Sequence, residues 1–61
     1  MYLIETKEGR RYLARYIFQR LRTILGLRDV WIWNYHERKW QKIKKGTIFI
    51  SSLEVSRMEE V

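Results

Sequence analysis

Trp31, Trp33, Tyr35 and Trp40 fall close together in the chain and are interleaved with Lys39, Lys42, Lys44 and Lys45. Aromatic rings offer flat faces on which unpaired nucleobases stack, and lysines neutralise phosphates. This mixture therefore suits binding of a single strand of DNA or RNA. A two-stranded ribbon of the same composition also fits a groove of duplex DNA. Both modes rest largely on phosphate contacts and weaken as salt rises.

Bond-making chemistry has little to work with. The only histidine, His36, stands in a polar break beside Glu37, where nothing points to burial. Ser51, Ser52 and Ser56 lack a histidine-based activation motif, and Ser51 has a capping role to fill. The acidic pair Glu59-Glu60 reads as solvated charge, and no set of ligands has a familiar metal spacing. The expectation is a binding protein, not an enzyme, with no cofactor and no metal.

The elements that must position the aromatic residues are two strands. Val30 to Tyr35 and Trp40 to Lys45 flank the break His36-Glu37-Arg38-Lys39, which reads as a hairpin with its tip near Glu37-Arg38. A two-residue loop sets Tyr35 opposite Trp40, Trp33 opposite Lys42, Ile32 opposite Ile43 and Trp31 opposite Lys44. Alternation then gives one face to Trp31, Trp33, Tyr35, Trp40, Lys42 and Lys44, and the other to Val30, Ile32 and Ile43. An error of one residue in the loop would exchange the two faces.

Before this hairpin, Tyr2-Leu3-Ile4-Glu5-Thr6 is β-prone, and Lys7-Glu8-Gly9-Arg10 is a turn signal, so a first hairpin returns over Arg10 to Ala14. Leu13, Ile17, Leu21 and Ile24 then recur at helical spacing, with Gly26 at a C-cap position. The spacing predicts an amphipathic helix over Arg15 to Leu25. On it, Arg11, Arg15, Arg20 and Arg22 form a second basic surface, either a phosphate contact or an ordinary solvated face. Thr47 to Ile50 is a strand expected to pair back onto Trp40 to Ile43. Ser51-Ser52-Leu53-Glu54 has capping-box form for a single turn, and a final edge strand runs from Val55 to Glu59.

The sum is a single α+β domain of order β-β-α-β-β-β, a twisted antiparallel sheet or partly open barrel with one helix. Its architecture is similar to the small barrels of the SH3 and Sm type. The Asp-x-x-Met-Asn-like segment that marks those barrels after the second strand is missing, so no family is assigned.

Composition bounds the partners. A chain of 61 residues buries a small core, and it has no cysteine to staple it. Nine aromatic residues are too many for one such core, which places some at the surface or an interface. The formal charge of +6 and pI near 10.1 favour a polyanion. No apolar run reaches a membrane span and the N-terminus lacks signal-peptide pattern, so a soluble intracellular protein with no membrane partner is expected. Few amide side chains and many charges also suit a thermophile. Two readings of the tryptophans stay open. They are a nucleic-acid platform, or they are core or interface with lysines at the rim, in a protein-interaction module or a homodimeric accessory factor of viral or mobile-element origin.

Overall fold

The computed structural model describes all 61 residues, which form six strands and one short 3-10 turn. These are β1 (Tyr2–Thr6), β2 (Arg11–Leu21), β3 (Ile24–Asn34), β4 (Lys39–Lys42), β5 (Thr47–Ser51) and β6 (Val55–Glu60), with the 3-10 turn at Ser52–Glu54 between the last two. Every strand pair is antiparallel, and the sheet runs β4-β3-β2-β1-β6. Strand β5 joins it on β3, on the edge that β4 also uses.

The α+β expectation is overturned, because there is no amphipathic helix. Arg15 to Leu25 instead holds the second half of β2, the turn Arg22-Thr23 and the start of β3. Tyr12, Tyr16, Ile17, Phe18, Thr23 and Ile24 favour a pleated backbone, and a partner strand satisfies it. The residues at helical spacing do not share a face: Leu13 is half-buried, Ile17 packs against the core, and Leu21 is 60% exposed. Gly26 is not a helix cap either. It lies directly opposite Phe18, whose ring covers it so closely that an added Cβ would sit 2.6 and 2.7 Å from two ring carbons.

The first hairpin forms as expected, with Gly9 at φ +90°, although its return strand continues to Leu21. Thr6 closes the turn: its backbone N–H donates to Arg10 O at 2.9 Å, and its hydroxyl accepts from Arg10 N at 3.1 Å. Two other expectations move. Strand β5 pairs with β3, not with Trp40 to Ile43, since the first half of an eleven-residue β3 has an edge to fill. The final edge strand pairs with β1 and reaches Glu60. Ser51 does cap the 3-10 turn, accepting from Leu53 N at 3.3 Å.

The core comes from one side of this sheet. Ile4, Tyr12, Ala14, Leu27 and Val30 are its buried residues, and Tyr2, Ile17, Ile32, Ile43, Ile48, Ile50 and Val55 pack around them. Along β2 the inward residues are Tyr12, Ala14 and then Ile17; along β3 they are Val30 and Ile32 on one side and Leu27 on the other. The steps from Ala14 to Ile17 and from Leu27 to Val30 are three residues, not two. At both places two successive residues, Arg15-Tyr16 and Arg28-Asp29, are exposed, and Asp29 adopts φ +54°. The two strands therefore change phase together, and both halves of the sheet turn their apolar side toward one core.

These backbone positions set two expectations for stability. A left-handed conformation costs an L-residue about 1–2 kcal/mol and is worse for a β-branched one, so Asp29→Val should destabilise by at least about 1 kcal/mol while Asp29→Gly is tolerated. Urea denaturation midpoints check this. Gly26→Ala should destabilise by about 1 kcal/mol in the native chain, where the Phe18 ring must leave. In a Phe18→Ala background the same change should turn neutral or stabilising, because glycine inside a strand is itself unfavourable.

Candidate nucleic-acid interface

The tip of the hairpin between β3 and β4 is set by Asn34. Its side-chain oxygen accepts from His36 N at 2.9 Å and Glu37 N at 3.0 Å, the Asx arrangement that asparagine offers a turn. Arg38 N donates to Asn34 O at 2.7 Å, and Arg38 takes φ +56° to rejoin the strand. The loop is therefore Tyr35 to Arg38, two residues longer than a tight turn. The observed partners are Asn34 with Lys39, Trp33 with Trp40, Ile32 with Gln41 and Trp31 with Lys42. Each differs from the expected pairing by two positions. An even shift leaves every side chain on its own face.

The split between the two faces follows. Val30 is fully buried, and Ile32 and Ile43 pack on the core, with Ile43 N donating to Val30 O at 2.8 Å. Trp31, Trp33 and Trp40 belong to the opposite, outward side and are half-buried. What covers them is mostly one another and their polar neighbours. Trp33 meets Trp40 edge to face at 5.3 Å between centroids, and Lys42 Nζ lies 4.2 Å from the centre of the Trp31 ring. Such aromatic and cation–π pairs each contribute roughly 0.5–1.5 kcal/mol.

The outward face extends across the sheet. Leu3, Leu13, Trp31 and Lys42 lie side by side on β1, β2, β3 and β4. Continuing the β2–β3 register by one residue sets Arg11 alongside Trp33, with Glu5 on its other side at 3.6 Å. Tyr35 sits in the loop, with its ring edge-on to Trp33 at 6.4 Å and its hydroxyl donating to Gly9 O. It extends the aromatic line and also ties this loop to the first turn.

The cations differ in how committed they are. Lys39 pairs with Glu37 at 3.2 Å, and Lys42 with Asp29 at 3.5 Å, both exposed and each worth roughly 0.2–1 kcal/mol. Lys44 and Lys45, between β4 and β5, make no ion pair. The guanidinium of Arg10 is held above its ordinary pKa, first by its hydrogen bond to Tyr12, and it stays charged.

Arg11, Arg15, Arg20 and Arg22 are not gathered on one helical face. Arg11 belongs to the tryptophan side, Arg15 sits at the phase change, and Arg22 is in the turn after β2. Arg20 is the extra residue of a bulge between Gln19 and Leu21, which aims it over the Phe49 ring at 5.0 Å. Around it the chain exposes a second aromatic group that the helical reading conceals: Tyr16, Phe18 and Phe49, with the two phenylalanines edge to face at 6.3 Å. Alternation of Tyr16, Phe18 and Arg20 is the signal for it in the sequence.

No pocket opens in the surface, no group of acidic or histidine side chains is placed to hold a metal ion, and no helix is long and apolar enough to cross a membrane. The geometry defines a small antiparallel sheet with an aromatic and cationic outer face. Comparison of the chain with protein-family models, curated proteins and solved structures finds no match.

The placement predicts how the tryptophans respond to quenchers. Partly exposed rings beside lysines should be quenched by acrylamide in the folded protein and, relative to free tryptophan, more strongly by iodide than by caesium at equal ionic strength. Equal resistance to all three would place the rings inside an interface.

Proposed function

We propose that this protein binds single-stranded nucleic acid on the outer face of β3 and β4. Bases stack on Trp31, Trp33 and Trp40, with Tyr35 continuing the line, while Lys39, Lys42, Lys44 and Lys45 meet the phosphates. The observation that carries this reading is that three tryptophans stand on the side of the sheet away from the core, with Lys42 over the Trp31 ring, while Lys44 and Lys45 in the segment after β4 make no ion pair. A ring kept outside the core and available to a base is worth about 1–3 kcal/mol on stacking. The net charge of +6 favours a polyanion over a neutral partner. Little sequence would be read, since stacking and phosphate contacts act on any strand. No covalent step is involved, and the role is that of an accessory or regulatory factor coating a strand.

Titrating a short single-stranded oligonucleotide into the protein should quench tryptophan fluorescence at low salt. Trp33→Ala should weaken binding about tenfold with the fold retained. Replacing Lys44 and Lys45 by alanine should flatten the salt dependence by about 0.7 in log–log slope for each phosphate no longer neutralised. Absence of binding at low salt, or a stable dimer whose tryptophans resist quenching, would overturn the proposal.

A further inference from the structure

We propose that the free edge of β2 over Arg15–Leu21 takes up an acidic, extended peptide segment as an added strand. Strand β1 pairs with β2 only as far as Ala14, so from Arg15 onward β2 is bonded to β3 alone. Its other edge presents unpaired backbone donors and acceptors, a template for one more strand. Of these seven residues only Ile17 is even partly buried, so side chains leave the edge open.

Charge selects the occupant. From Arg10 through Arg28 there are six arginines and no acidic residue. Arg15, Arg20, Arg22 and Arg28 make no ion pair, although the chain has four elsewhere. A second copy paired along this edge would bring its own Arg15 and Arg20 against these, which disfavours self-association. The outer edge of β5 is open too, yet Thr47–Ser51 carries no charge to choose a partner.

The two sides of β2 specify a pattern. Tyr16 and Phe18 face outward with Arg28 and the bulged Arg20, whereas Ile17 faces the core side. An added strand continues both faces with period two. Acidic side chains on its outward positions attract Arg28 from across Tyr16 and draw Arg20 from its place over Phe49, and apolar ones on its inward positions meet Ile17. This surface lies on the other half of the β2–β3 hairpin from the tryptophans and does not depend on their role.

The test uses the full chain, isotope-labelled, with an N-acetylated peptide amide of alternating Glu and Val about eight residues long. Three comparison probes are a block isomer of the same composition, an alternately N-methylated copy, and a single-stranded oligonucleotide. The alternating peptide should slow amide exchange across Arg15–Leu21 and bind about tenfold more tightly than either peptide control. Arg28→Glu should weaken it about tenfold with an unchanged denaturation midpoint, and Arg20→Glu about tenfold with a lower midpoint from the lost contact with Phe49. Equal binding of the block isomer or the N-methylated copy would overturn the proposal, as would no binding. So would protection of these amides by the oligonucleotide and not by the peptide, which would assign the arginines to phosphate.

Discussion

The structure depends on a shared change of phase in its two longest strands. At Arg15-Tyr16 in β2 and Arg28-Asp29 in β3 the alternation of inward and outward side chains is reset, with Asp29 in the left-handed region. Without that reset, Leu27 and Val30 would fall on opposite sides of β3, and the core would lose one of its three largest fully buried side chains, each worth about 1.5–3 kcal/mol. With it, the Ile4-Tyr12-Ala14-Val30 half and the Ile17-Leu27-Ile48 half face the same interior. An aspartate is a reasonable occupant of the reset, since its short polar side chain tolerates the left-handed backbone and here reaches Lys42.

The same constraint decides where the aromatic residues go. The core is built from Ile, Leu, Val, Ala and one tyrosine, and the three indoles stand at outward positions of β3 and β4. There they shield one another and take cover from Lys42, which keeps them half-buried without an interior of their own. Beyond the reset, the outward side carries Tyr16, Phe18 and Phe49 with arginines in place of lysines. One long hairpin thus presents two aromatic and cationic surfaces of different character.

Much of this is legible in the sequence, and what is not has identifiable causes. The aliphatic and aromatic sides of the β3–β4 hairpin are readable because Val30, Ile32 and Ile43 hold their parity, and a tip placed at Glu37-Arg38 gives a register wrong by an even number. Asn34 holds the signal for the longer loop through its two side-chain bonds. The helical reading fails because a strand that changes phase breaks period two: Leu13, Ile17, Leu21 and Ile24 then imitate helical spacing while facing different ways. Gly26 imitates a cap for a different reason, since a glycine under an aromatic ring on the facing strand leaves no mark at its own position. Pairing of β5 with β3 is invisible once a helix is assigned to the residues that supply its partner.

The proposed role requires Trp31, Trp33 and Trp40 to receive bases at the surface while the opposite face remains a closed core. The most direct measurement follows the three indole N–H resonances and the Leu27 and Val30 methyl resonances as a short single-stranded oligonucleotide is added, at low salt and again at high salt. Binding on this face should give indole shifts that grow with oligonucleotide and retreat as salt rises, with the two methyl groups unmoved. Stationary indoles at low salt, or shifts shared equally by the Leu27 and Val30 methyls, would contradict it.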